Sequence, residues 1–219
     1  MTKKDIARIV DQTQLKPDVS MDSIESICLE ARLYDFATVA IYPCHVPFAR
    51  KLLEGSNSGI TAAIAFPYGA WSLEMKEFEI KDAIKNGATD LDFVINVGAL
   101  KDKKYDVLKN EADMCRKVTR GKILKSIFEV CLLNEDEIIK ACEIYAQAGV
   151  DFVKTSTGFL EPPSPDVVKI MHEVVKKTGT QVKAAGGIKT AGDAKEMIAA
   201  GATRLGTSSG LEIYNSWVG

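Results

Sequence analysis

The sequence predicts a closed (β/α)8 barrel of the α/β class, and three observations carry that prediction. Apolar runs of strand length alternate with amphipathic segments of helix length along the whole chain. Eight such runs fit within 219 residues. A junction of helix, glycine and parallel strand recurs in nearly the same letters as "NGATDLDFV", "AGVDFVK" and "AGATRLG". No G-x-G-x-x-G turn follows the first strand, which favours the TIM-barrel arrangement over an open doubly wound sheet. One barrel domain is expected over residues 1–219, with a short N-terminal helix ahead of it.

The first run, "IVDQTQL" (9–15), is the most polar and the weakest. The others are "ATVAIY" (37–42), "ITAAIAF" (60–66), "LDFVINV" (91–97), "ILKSIFEV" (123–130), "DFVKTS" (151–156), "QVKAA" (181–185) and "ATRLGTS" (202–208). Helix starts are marked between them. Ser20 precedes "MDSIESICLEARL" and Ser72 precedes "LEMKEFEIKDAIKNG", while Asn134 and Glu137 form a capping box for "IIKACEIYAQAG". Pro165 suits the first turn of "DVVKIMHEVVKKTG" because its missing N–H has no helical partner there. Gly87, Gly149, Gly179 and Gly201 stand where these helices stop, in a left-handed position that costs glycine nothing.

Composition removes several classes of function. The 28 Lys and Arg against 30 Asp and Glu leave a net charge of −2, and neither sign gathers into a run that would follow nucleic acid or an anionic membrane. No apolar segment approaches the length of a membrane span, and "MTKKDIARIVDQ" is too polar for a signal peptide, so a cytoplasmic protein is expected. The five cysteines are scattered without a C-x-x-C pair, which predicts small buried hydrophobes in a reducing compartment and no disulfides. The two histidines, His45 and His172, fall in separate helical segments, so no metal cluster and no cofactor are predicted; His172 is expected on a helix surface.

Strand side chains alternate between the barrel interior and the helix layer. In "LDFVINV" the apolar Leu91, Phe93 and Ile95 suit the helices, which turns Asp92, Val94 and Asn96 inward. In "DFVKTS" Val153 and Thr155 face out, leaving Phe152, Lys154 and Ser156 inside; in "QVKAA" Lys183 lies inside with Gln181 and Ala185. The fifth strand adds Lys125 and Glu129 on one face, with a register that Ser126 makes less definite. One such lysine would more readily be a rim residue or half of an ion pair. Two lysines on adjacent strands repel, and burial and a like charge both lower a lysine pKa, which is what an amine needs to attack a carbonyl near neutral pH. Glycine-rich turns follow the last two strands, "AAGGIKT" and "LGTSSG", and their N–H groups suit a phosphate. Gly186, Gly187, Gly206, Ser208 and Ser209 are therefore the expected phosphate ligands.

The stretches "DFVKTSTGF", "VKAAGGIKT", "LDFVINVGAL" and "GATRLGTSSG" resemble the deoxyribose-phosphate aldolases, class I enzymes of the DeoC type, in one unbroken order from about Val10 to Gly210. The resemblance implies a Schiff base on Lys154, with Lys183 lowering its pKa and sharing proton transfer with Asp92. It implies Gly158 as a further phosphate contact and Asp11, Thr13, Ala40 and Thr155 as substrate-pocket residues. The implied partners are a phosphosugar and acetaldehyde, and a homo-oligomer, dimer or tetramer, is compatible with it. Gln12, Ala40, Tyr42 and the segment Glu161–Pro163 depart from the family pattern near the expected top face. Two alternatives are another Schiff-base aldolase or transaldolase on a longer phosphosugar, and a non-catalytic sugar-phosphate sensor, which has no use for two repelling buried cations.

Overall fold

Eight parallel strands close on themselves in chain order in the computed structural model of the chain, which describes residues 1–218. The short helix α1 (Lys3–Ala7) opens on a capping box in which Thr2 accepts from the Asp5 N–H and Asp5 accepts from the Thr2 N–H. The strand–helix pairs follow: β1 (Val10–Thr13) with α2 (Met21–Tyr34), β2 (Thr38–Ile41) with α3 (Val46–Leu52), and β3 (Gly59–Ile64) with α4 (Leu73–Asn86). β4 (Asp90–Val94) leads into two helices, α5 (Val97–Lys101) and α6 (Tyr105–Val118). β5 (Ile123–Ile127), α7 (Glu135–Gln147), β6 (Phe152–Lys154) and α8 (Pro165–Val175) come next, then β7 (Gln181–Ala185), α9 (Ala191–Ala199), β8 (Ala202–Thr207) and α10 (Gly210–Ser216).

The caps read from the sequence are in place. Ser20 and Ser72 each accept an N–H from the residue three positions on, Asn134 and Glu137 close their box, and Pro165 sits in the first turn of α8 behind Ser164. Several strands end sooner than the apolar runs do. β3 stops before Ala65 and β5 before Glu129, both of which take positive φ, 50° and 47°, and turn the chain out of the sheet. The run at 91–97 breaks at Asn96, whose side chain accepts from the Ala99 N–H and starts α5. Of the cysteines, Cys28, Cys115 and Cys142 are buried as expected, whereas Cys44 and Cys131 are exposed, because both fall in the loops that follow strands rather than on packed faces. His172 is half-buried, its ring covering Gly201 where α8 meets the turn before β8, so it is not the free surface residue expected.

Apolar side chains on the outer strand faces, such as Val39, Ile41, Leu91, Phe93, Val153 and Val182, pack under the helices and form the main core. The inner faces carry a second, smaller apolar cluster of Leu15, Ala63, Phe66, Val94 and Ile127. Beside that cluster the interior is charged.

Candidate active site

Parallel register sets the charged floor. β4 pairs with β5 so that Asp92 stands beside Lys125, β6 with β7 so that Lys154 stands beside Lys183, and β7 with β8 so that Lys183 stands beside Arg204. The inward periodicity of neighbouring strands thereby places four cations around three carboxylates. The Lys154 and Lys183 ammonium groups donate to the same atom, Asp92 Oδ2, at 2.9 and 2.8 Å. Lys183 also donates to Asp11 Oδ2, and Arg204 reaches the other Asp11 oxygen at 3.0 Å. Lys125 lies deepest, at 2.8 Å from Asp90 and 3.0 Å from Asp92, and donates to the Thr61 hydroxyl at 3.2 Å.

These contacts separate the lysines chemically. Burial pushes the Lys154 amine down, its one carboxylate partner Asp92 restores only part of that, and Lys183 and Lys125 push it down again, to about 8. Burial acts on Lys125 in the same sense, but Asp92, Asp11 and Asp90 together outweigh it and hold its pKa above the ordinary value. Burial alone would raise Asp92 and Asp11; the surrounding lysines prevail and hold both carboxyls below their usual range. At pH 7 about a tenth of an amine with that pKa is neutral. Lys154 is thus equipped to attack a carbonyl, and Lys125 to remain a cation.

Lys154 is also the lysine of this cluster that lines the cavity above, a space of about 240 Å³ at the C-terminal ends of the strands. Across it stand the glycine turns after β6, β7 and β8, with Gly158, Gly186, Gly187, Gly206 and Ser208 on the wall. Two of these positions leave little room for a side chain. A Cβ on Gly206 would come within 3.1 Å of Lys183 Cε and 3.0 Å of the Ala185 side chain, so the Lys183 stem crosses where a side chain would stand. Gly187 has φ 72°, and a Cβ there would lie 2.7 Å from Pro162 Cβ. The Pro162–Pro163 segment therefore packs over the glycine turn.

The other expected site residues are distributed between the cavity and its supports. Thr13 lines the cavity and donates to the Asp11 carbonyl at 2.9 Å. Asp11 lies below it in the charged floor, fully buried. Ala40 is buried on the inner face of β2, and its carbonyl accepts from the Gln14 N–H. Thr155 points away from the cavity: its hydroxyl donates to the Ala185 carbonyl and accepts from the Ala185 N–H, both at 3.0 Å, and so pins β6 to β7. Ser209 stands one residue behind the wall, its N–H bound to the Thr207 hydroxyl at 2.9 Å. Asp90 and Arg204 complete the floor and were not singled out from the sequence; strict alternation from Asp92 would have pointed to Asp90, while the register shift beside Lys183 hides Arg204. Lys16 and Lys189, in loops, bring two further cations to the cavity wall.

The chain is similar to known aldolases. Residues 6–216 match the DeoC/LacD family aldolase profile. The deoxyribose-phosphate aldolase of Mycoplasma capricolum is 48% identical over 207 residues, covering 94% of this chain and 93% of that protein. The enzyme of the same name from Thermococcus kodakarensis is 47% identical over 218 residues, 97% of each chain. The tetrameric deoxyribose phosphate aldolase of Aeropyrum pernix superposes with a TM-score of 0.89 at 29% identity, over 98% of this chain and 92% of its own.

Proposed function

Since the chain belongs to the DeoC/LacD family of aldolases, we propose that it is a class I deoxyribose-phosphate aldolase that reversibly cleaves 2-deoxy-D-ribose 5-phosphate to D-glyceraldehyde 3-phosphate and acetaldehyde. The observation that carries this reading is the pairing of one buried amine of lowered pKa with a wall of glycine turns across a small cavity. The amine suits the aldehyde end of the substrate, and the turns suit its phosphate.

In the proposed reaction neutral Lys154 attacks C1 of the open-chain sugar, and loss of water gives an iminium. The iminium draws electrons from the C2–C3 bond while a base takes the C3 hydroxyl proton; the bond breaks, glyceraldehyde 3-phosphate leaves, and a neutral enamine stays on Lys154. Protonation of that enamine at C2 and hydrolysis release acetaldehyde and the free amine. Asp92 and Lys183 are the groups proposed to move these protons, because they share one hydrogen-bonded cluster with the Lys154 nitrogen. Gly158, Gly186, Gly187, Gly206, Ser208 and Ser209 are proposed for the phosphate end, with Lys16 and Lys189 adding positive charge. We also propose assembly into a homo-oligomer and a cytoplasmic location. Among the described residues no helix is long and apolar enough to cross a membrane.

The test is a panel of deoxyribose 5-phosphate, ribose 5-phosphate and fructose 1,6-bisphosphate assayed for aldehyde release, joined to borohydride trapping with acetaldehyde. Cleavage of the deoxy sugar and a single ethyl adduct on Lys154 are expected. Lys154→Arg keeps the charge and should give neither adduct nor turnover. Preferential cleavage of the bisphosphate, or an adduct centred on Lys183 or Lys125, overturns the assignment.

A further inference from the structure

Glu129 is a buried carboxylate that the proposed reaction leaves without a task. It follows the end of β5, is 4% exposed, and holds φ 47° and ψ 64°, a left-handed conformation that costs a residue with a side chain. Among the described residues no lysine, arginine or histidine lies within salt-bridge distance of it, although nearly every other charged group buried in the barrel has an opposite partner. A buried carboxylate without a cation is unfavourable unless its hydrogen bonds compensate. One of its bonds leads to the cavity. Oε2 accepts a hydrogen bond from the Thr157 hydroxyl, and that hydroxyl in turn accepts from the Phe159 N–H at 3.2 Å. The other oxygen, Oε1, faces the Cys131 thiol at 3.8 Å. The chain Glu129–Thr157–Phe159 thus closes around Gly158, at φ 90°, on the wall of the cavity three to five residues beyond Lys154.

We propose that Glu129 is a positioning residue for the anion end of the site: by holding the Thr157 hydroxyl it fixes the Thr157–Gly158–Phe159 turn in the shape that receives the substrate phosphate. The inference rests on the aldolase reading above and adds a residue that touches no substrate. Pointing the Thr157 hydroxyl at Glu129 leaves the backbone of the turn to face the ligand. A strained backbone and a buried charge are kept together at this one place because the turn they order is needed by the substrate, and a sheet end alone could be closed with glycine and an apolar side chain.

The experiment is a specificity ratio, kcat/KM for 2-deoxyribose 5-phosphate divided by kcat/KM for 2-deoxyribose, measured on the full chain and on Glu129→Ala, Glu129→Gln, Thr157→Val and Thr157→Ser. A slackened phosphate turn penalises only the phosphorylated sugar, so the ratio should fall about tenfold in Glu129→Ala and in Thr157→Val. Glutamine keeps an acceptor oxygen and serine keeps the hydroxyl, so Glu129→Gln and Thr157→Ser should hold the ratio within about threefold. The double variant Glu129→Ala, Thr157→Val should be no worse than either single, because both break one bond. Thr157→Val is nearly isosteric and keeps the test open where Glu129→Ala does not fold. Equal losses on both sugars, or losses that multiply in the double variant, overturn the inference while the native ratio stands. A native protein that shows no preference for the phosphorylated sugar overturns the aldolase reading itself, and this inference with it.

Discussion

Replacing Lys183 by methionine removes one charge from the cavity floor and keeps an unbranched stem to cross Gly206. The Lys154 and Lys183 nitrogens lie 2.9 and 2.8 Å from Asp92 Oδ2, so about 6 Å at most separates them. Two like charges at that distance repel by about 3 kcal/mol at an effective dielectric constant of about 20, which is about two pK units. The sign is upward. Loss of the Lys183 charge removes a repulsion from the protonated Lys154, and loss of its hydrogen bond frees Asp92 Oδ2 to hold that proton more firmly. The Lys154 pKa therefore moves from about 8 toward about 10. The neutral fraction at pH 7 falls from about a tenth to about a thousandth, so attack on an aldehyde slows about 100-fold at pH 7 and far less at pH 11.

Borohydride trapping with acetaldehyde reads this step directly, because it records amine attack and needs no carbon–carbon cleavage. The initial trapping rate plotted against pH should rise to half its plateau near pH 8 in the native protein and near pH 10 in Lys183→Met. Lys183→Arg retains the charge and should stay near pH 8. A Lys183→Met profile that still turns near pH 8 refutes the electrostatic argument, whatever the variant does to turnover.

Three other outcomes are expected. Lys154 titrates lower in the folded state, about 8, than its ordinary 10.5, so the unfolded chain binds the extra proton between those values and native stability rises with pH across that window. Lys154→Met should accordingly gain about 3 kcal/mol at pH 7, a gain that shrinks from pH 8 upward and vanishes above pH 10.5 in urea titrations; a gain independent of pH contradicts it. Thr155→Val loses both bonds to Ala185 and leaves two buried backbone groups unpaired, so stability should fall by about 2–4 kcal/mol, with KM for the sugar changing less than threefold if the hydroxyl has no place in the cavity. Activity should survive prolonged EDTA treatment, because the iminium supplies the electron sink that a metal would otherwise provide; a loss restored by Zn²⁺ contradicts class I chemistry.

The legible parts of the chain were those where one rule governs one residue. Ser20, Ser72 and Asn134 cap helices because their short side chains reach the third N–H on, a local matter that neighbours do not override. Asp92, Lys154 and Lys183 could be placed inside because each interrupts an otherwise apolar strand with period two. α6 was not delimited, for two physical reasons: Lys104 ahead of it makes no side-chain cap, and its buried face includes Glu111, which the Lys76 ammonium at 2.5 Å and the Tyr145 hydroxyl at 2.6 Å satisfy from α4 and α7. A buried glutamate reads as a surface residue until its partners on two other helices are known. Thr155 was drawn toward the pocket by its place in the lysine motif, against its own outward position in the alternation, and the alternation prevailed. Glu129 was grouped with Lys125 on one face of the fifth strand, but its link to Thr157 joins two loops 28 positions apart, which no local pattern encodes.

Charge balance explains why the barrel tolerates so many ions and which of them gives way. The interior floor holds Lys125, Lys154, Lys183 and Arg204 against Asp11, Asp90 and Asp92. With every group ionised, one cation is in excess. The excess is most readily shed by the lysine that contacts one carboxylate and borders the cavity, and the two chemical facts about Lys154 coincide there: it has the lowered pKa and it can meet a substrate. With Lys154 neutral, three cations face three carboxylates. The same arithmetic acts on the proposed intermediate. An iminium on Lys154 restores the positive charge beside Lys183 and Lys125, where it is as unwelcome as the proton was; breaking the C2–C3 bond turns it into a neutral enamine while the C3 hydroxyl proton passes to the proposed base, so the surplus charge leaves the Lys154 nitrogen and moves to Asp92. A floor built to keep the Lys154 nitrogen uncharged therefore favours the enamine over the iminium at that nitrogen, with Asp92 taking up the proton that the cleavage releases.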